Sequence, residues 1–162
     1  MTDLITSEQR SQNMTAIKAY DTSPEIYIRK IIFSEGFRYR LHQKNLPGKP
    51  DIVLAKYKTV IFINGCFWHR HHCHLGSMPK TNTDFWSKKF NSNVDRDQRN
   101  IQTLLDLGWN IVIMWECAIK GKFKLPENVL RLRLLSSIHD NPKRLVEICG
   151  NLSTFSNNLL KP

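Results

Sequence analysis

The sequence predicts a single α/β domain built on a central mixed β-sheet flanked by helices. Three observations lead there. The chain has 162 residues, enough for one real core and too few for two large ones. Segments with helical apolar spacing alternate with segments that read as strands. Their order is helices, a strand meander, a helix, a strand and a helix, which places helices against the faces of a sheet. The whole chain, 1–162, reads as one domain, with a helical segment over about 1–20 and a weakly patterned tail from about 140 that no element claims.

Ser7 is placed to cap a first helix running to about Ala19, with Met14 and Ile17 on one face. Ser23-Pro24-Glu25 starts a second helix: a capping serine, a proline in the first turn, and an acid favoured by the helix dipole. Ile28, Ile31 and Ile32 form its apolar face and Gly36 ends it. Phe37 to Leu41 alternates as a strand does, and Leu46-Pro47-Gly48 is a turn. Asp51 to Ala55 and Thr59 to Ile63 form a hairpin closed at Lys56-Tyr57-Lys58. Val94 to Leu107 is helical through Ile101, Leu104 and Leu105, closed by Gly108. Trp109 to Trp115 is a buried strand and Pro126 to Ile138 a last helix.

Lys and Arg exceed Asp and Glu by ten charges, and the pI is near 9.7. Such an excess on a small protein points to a polyanion, above all nucleic acid. No apolar stretch is long enough to span a bilayer, and Met1 to Arg10 lacks the apolar region of a signal peptide. The expected setting is a reducing cytosol, where four cysteines serve as metal ligands or free thiols rather than disulfides.

The densest chemistry is Cys66-Phe67-Trp68-His69-Arg70-His71-His72-Cys73-His74. Thiolates and imidazoles are the donors that tetrahedral zinc takes. The spacing is not that of a standard finger, so a ligand from elsewhere is needed. Cys117, just past the Trp109 to Trp115 strand, and Cys149 are the candidates, and spacing alone does not say which histidine binds. A closed four-ligand zinc holds no open position for water, so its role is structural and catalysis falls to other residues. Asp51 opens one hairpin strand near the end of the other. A carboxylate there, beside the Ile63 carbonyl, suits octahedral magnesium. Candidate site residues here also have plainer readings: Asp51 in a turn, His69 as another zinc ligand or at the surface, Asp97 paired with Arg96 or Arg99, Glu25 at its helix N-terminus, Trp68 and Trp86 in the core.

Taken together, Lys49-Pro50-Asp51, Val60-Ile61-Phe62, Gly65-Cys66-Phe67-Trp68-His69, His71-His72-Cys73, Asn93-Val94-Asp95-Arg96-Asp97, Leu107-Gly108-Trp109 and Trp115-Glu116-Cys117 resemble the very-short-patch (Vsr-type) DNA mismatch-repair endonucleases. Asn13-Met14 and Ala16-Ile17 fit the same pattern, so the likeness runs from about Ser7 to Leu125. The resemblance implies a restriction-endonuclease-like architecture. It also implies recognition of T:G mispairs left by deamination of 5-methylcytosine, and nicking 5′ of the thymine.

The implied roles follow position by position. Asp51 and the Ile63 carbonyl bind Mg2+, His69 is the general base, Asp97 orients it, and Glu25 sits at the edge of the site. Cys66, His71, Cys73 and Cys117 hold Zn2+. Phe67, Trp68 and Trp86 wedge into the base stack while Met14 and Ile17 press from the minor groove. Implied partners are mismatched double-stranded DNA, mismatch-repair proteins and a cytosine-5 DNA methyltransferase. The protein is expected to be a monomer in the bacterial cytoplasm, associated with the nucleoid. Where members of the family often carry histidine, this chain has Asn64, which can neither donate a proton as an acid nor act as a base. Two other functions fit the residues: a zinc-stabilised module that binds DNA without cutting it, and a related nuclease with a different DNA target.

Overall fold

The structure, a computed structural model, describes residues 6–139 and 144–151. Residues 1–5, 140–143 and 152–162, which include most of the unassigned tail and the start of the N-terminal segment, lie outside the described residues.

Five strands form one sheet in the order of the chain: β1 (Arg40–Leu41), β2 (Ile52–Leu54), β3 (Thr59–Asn64), β4 (Asn110–Trp115) and β5 (Leu145–Ile148). The first three are antiparallel neighbours, and β3, β4 and β5 run parallel. The sheet is therefore mixed, as the sequence predicts. Parallel neighbours need crossovers, and helices supply them: α3 (Thr83–Asp106) joins β3 to β4, and α4 (Glu116–Ile119) and α5 (Glu127–His139) lie between β4 and β5. Two further helices, α1 (Ser7–Thr15) and α2 (Ser23–Ser34), precede the sheet.

Strand alternation divides the core in two. Ile52, Leu54, Ile61, Val112 and Met114 face α2 and α5, packing with Ile28, Ile31, Ile32, Leu130, Leu134 and Ile138. Val53, Val60, Ile111, Ile113 and Trp115 face the other way, onto Leu104 of α3 and onto Cys66, Cys73 and Cys117. The second core is thus continuous with the cysteine cluster.

The expected hairpin forms, with Val53 opposite Val60, but its first strand is only Ile52–Leu54 and a 3-10 turn at Ala55–Tyr57 takes up Ala55. Gly36 has φ +87°, the left-handed conformation that ends α2. Other boundaries differ from expectation. The cap of α1 is Thr6 rather than Ser7: its hydroxyl accepts from Gln9 N–H while the Gln9 side chain accepts from Thr6 N–H. The helix stops at Thr15, short of Ala19, so Ile17 is not on a helical face with Met14. Thr22, not Ser23, is the N-cap of α2, because Glu25 at the third helical position reaches back to it. Only Arg40–Leu41 of the Phe37 to Leu41 segment pairs as strand, while Phe37 drops into the core.

The helix expected over Val94 to Leu107 begins at Thr83. Its first turns carry Phe85, Trp86 and Phe90, which pack on one another, and Trp86, Phe90 and Val94 extend the helical spacing back beyond the expected start. The sequence pattern assigns no element beyond residue 140, yet Leu145–Ile148 pairs with β4. Four residues at the end of a sheet, one an exposed glutamate, are too few to show a period.

Candidate active site and metal-ligand cluster

A cleft of about 1720 Å³ opens beside the end of β3. Its walls include Ile17, Glu25, Asp51, Ile63, Phe67, Trp68, His69 and Asp97, so most of the residues expected in the site share one space. Asn64 lies there too. Met14 is exposed on α1, and Trp86 joins through the aromatic cluster.

Asp51 sits just before β2, and its Oδ2 accepts the Ile63 N–H at 2.7 Å across the hairpin. The contact between these two residues is therefore amide to carboxylate. Burial pushes the Asp51 carboxyl up to about 6, helped by nearby Glu25 and opposed by the Ile63 amide, His42 and Arg29. The folded protein thus binds a proton that the unfolded chain releases between pH about 4 and 6. Without magnesium, Asp51 weakens folding as pH rises through that window, and its effect is complete above it. Asp51→Asn keeps an acceptor for the Ile63 amide and removes the buried charge. In magnesium-free buffer it is expected to be more stable than wild type by about 1–3 kcal/mol at pH 8. The gap should close towards pH 4. Paired urea melts at the two pH values measure it, and a gap independent of pH would contradict the assignment.

His69 lies on the turn leaving β3, where its N–H bonds the Gly65 carbonyl. Its Nδ1 is hydrogen-bonded to Asp97 Oδ2. Burial raises the Asp97 carboxyl, but His69 and Arg96 outweigh it and hold the group below its usual range. Four residues earlier on α3, Asn93 donates to the Trp68 carbonyl at 3.1 Å. Positions four apart share a helix face, so one face of α3 grips both the backbone before His69 and its imidazole. Asn93 belongs to the motif around Asp97, but only the helical period and its burial reveal the task.

Glu25 is 4% exposed and fully engaged. It accepts from Asp21 N–H, Thr22 Oγ1 and Arg29 Nη2. The aromatic group is compact: Phe67 lies 5.1 Å from Trp68, 5.3 Å from Trp86 and 5.1 Å from Phe90, each edge-on. Phe85, absent from the sequence reading, extends it outward at 61% exposure.

The cysteine cluster assembles from the ends of two parallel strands. Asn64 of β3 pairs with Trp115 of β4. Cys66 and Cys117 each lie two residues further on, which brings them together across 51 positions of sequence. Cys66, His71, Cys73 and Cys117 offer donor atoms all within 4.8 Å of one another. His71 Nδ1 is 3.6 Å from Cys66 Sγ and 3.5 Å from Cys117 Sγ. Tetrahedral zinc, with Zn–S of about 2.3 Å and Zn–N of about 2.0 Å, separates such donors by roughly 3.6 Å. The geometry fits that ion, and Cys149 stands outside the set.

Two amides serve the sulfurs: Cys117 N–H reaches Cys66 Sγ at 3.4 Å, and Gly150 N–H reaches Cys117 Sγ at 3.3 Å. Hydrogen bonds from Cys66 and His71 pull the Cys117 thiol down, and Cys117 in turn pushes Cys66 up. Trp115 stacks on His71 at 4.2 Å and anchors its indole N–H on Glu147 of β5.

Gly150 leaves no room for a side chain, since a Cβ would lie 2.4 Å from the Cys117 carbonyl oxygen and 2.6 Å from that of Phe123. Gly150→Ala is expected to destabilise the protein by about 1–3 kcal/mol and to speed zinc release to a chelator. Thermal melts and a colorimetric zinc assay check both. Unchanged release would show that the Gly150 amide does not support the site.

Fold and cleft define the class: a single-domain α/β protein of restriction-endonuclease-like architecture, with a carboxylate and an imidazole–carboxylate pair on one cleft and a separate Cys/His metal-ligand set. The description of the DNA mismatch endonuclease Vsr family matches residues 2–75. Type II nicking enzyme V.NmeAIP of Neisseria meningitidis serogroup A is 48% identical over 132 residues, covering 82% of this chain and 94% of that protein. DNA mismatch endonuclease Vsr of Escherichia coli K12 is 44% identical over 134 residues, covering 83% and 86%. Type II nicking enzyme V.XorIIP of Xanthomonas oryzae is 42% identical over 119 residues, covering 74% and 88%. The chain belongs to the Vsr family of DNA mismatch endonucleases. Among the described residues, no helix is long and apolar enough to cross a membrane.

Proposed function

We propose that this protein is a DNA endonuclease that recognises T:G mispairs arising from 5-methylcytosine deamination and nicks the strand 5′ of the mispaired thymine. The observation that carries the reading is that Asp51 and the hydrogen-bonded His69–Asp97 pair line one cleft.

His69 takes the proton of the attacking water on Nε2. Asp97, accepting from Nδ1, fixes the tautomer and steadies the charged imidazole that forms. Asp51 and the Ile63 carbonyl would hold Mg2+, which would supply positive charge to the scissile phosphate and the leaving oxygen. Glu25 lies beside Asp51 at the edge of the site. Phe67, Trp68 and Trp86 enter the stack next to the mispair, with Met14 and Ile17 on the minor-groove side. Unstacking costs a few kcal/mol and less at a mispair, which favours mispaired over matched DNA. Cys66, His71, Cys73 and Cys117 would hold a structural Zn2+, and these ligands would brace the loop between the end of β3 and His69. The reading places the protein as a monomer in the bacterial cytoplasm, working with mismatch-repair proteins and alongside a cytosine-5 methyltransferase whose target matches its own.

End-labelled duplexes carrying a T:G pair in a panel of flanking sequences, with matched controls and magnesium, test it. One nick 5′ of the mispaired thymine, absent from the controls, is the expected result. No nick in any context would reject the reading, and equal cutting of matched duplexes would move it to a nuclease with another target.

A further inference from the structure

The chain between α1 and α2, Ala16 to Asp21, forms one wall of the cleft. Its nearest helix, α1, is exposed along its described length, so packing of α1 does not hold this arm in place. What ties it is a buried guanidinium. Arg29, 8% exposed on α2, reaches Asp21 Oδ1 with Nη1 at 2.5 Å. Its Nη2 meets Glu25 Oε2 at 2.8 Å and His42 Nε2 at 3.0 Å.

The arm's end is thus bound twice, since Asp21 N–H also donates to Glu25. Tyr20, next along, sets its ring edge-on to His42 at 5.4 Å. Asp21 itself sits at φ +55°, in the left-handed region, where the chain turns from the arm into the helix. A non-glycine residue pays for that conformation, and local bonds must hold it. The Arg29 side chain has the burial of a core residue, yet Asp21 is 65% exposed. An interior cation is spent on a surface carboxylate where the arm joins α2.

We propose that Arg29 is a positioning residue that latches the Ala16–Asp21 arm against the cleft through Asp21, so that Ile17 meets the DNA already placed. The proposal rests on the DNA-cutting reading given above, but the latch itself can be read without DNA. An arm held in advance loses less freedom on binding, which favours capture of the duplex and leaves the chemical step alone. Releasing it therefore raises KM more than it lowers kcat.

Asp21→Asn tests the latch on an exposed side chain, where folding is not at stake. Trypsin cleavage after Lys18, followed by mass spectrometry of the DNA-free protein, is expected to speed up by about tenfold as the charged bond is lost. KM for the mispaired duplex is expected to rise by about as much, with kcat within about twofold. Asp21→Glu, which keeps the carboxylate, should restore most of both. In the Asp21→Asn background, Ile17→Ala should add little, because the two changes remove one shared contribution.

Unchanged cleavage after Lys18 would overturn the latch. Faster cleavage with unchanged KM, or full additivity with Ile17→Ala, would overturn its part in capturing DNA. A wild-type protein that nicks no mispaired duplex would instead reject the function, with the trypsin result still deciding the latch.

Discussion

Asp51→Asn is expected to abolish nicking, by a factor of about 10³ or more, while leaving binding to a mispaired duplex within a few-fold of wild type. Asparagine fits the same space and can still accept the Ile63 amide, so the hairpin is kept. What disappears is the negative charge that the proposed magnesium site needs. The same substitution relieves a buried carboxylate and is expected to stabilise the magnesium-free fold. Opposite signs for activity and stability at one position distinguish a functional carboxylate from one that merely closes a turn. Single-turnover nicking over a magnesium titration, beside duplex binding by fluorescence anisotropy, measures the first effect. Recovery of wild-type rates at high magnesium would mean that Asp51 is not the metal's anchor.

The second large effect lies at the cysteine cluster. Cys117→Ser is expected to release zinc and to cost roughly 3–5 kcal/mol of stability. Cys117 is fully buried, receives two hydrogen bonds on or beside its sulfur, and sits in the core formed by Val53, Val60, Ile111 and Ile113. Loss of the ion leaves thiols and an imidazole packed against that core without their common partner. The damage should reach His69, since Cys66 and His71 flank it and Trp115 lies against both histidines. Zinc content by atomic emission and urea melts monitored by tryptophan fluorescence check the expectation. A stable, zinc-free variant that still nicks would show the cluster to be dispensable.

Local patterns carried much of this in the sequence. Ile52 to Leu54 and Thr59 to Ile63 are short β-branched apolar runs joined by a short turn, and that hairpin alone brings Asp51 to Ile63. The Cys66 to His74 run announces soft-donor chemistry by density. What stayed hidden is contact between distant segments. The meeting of Cys117 with Cys66 depends on the parallel register of β3 and β4, which no local period encodes. Arg29 reads as one more positive charge on α2, and only folding shows it buried between Asp21, Glu25 and His42. Gly150 and Glu147 sit in a stretch too short to display a strand, although they support Cys117 and Trp115. The first turns of α3 carry Trp86 and Phe90 at helical spacing, and their partners Phe67 and Trp68 lie on a loop far away in sequence.

The central claim is that Asp51 and His69 act on one phosphodiester in one step. Single-turnover nicking of a T:G duplex by Asp51→Asn, His69→Ala and the double variant tests it most directly. If the two groups serve the same transition state, the double variant is about as slow as the slower single variant, far from the product of the two losses. Losses that multiply, or a His69→Ala enzyme that cuts at the wild-type rate, would contradict it.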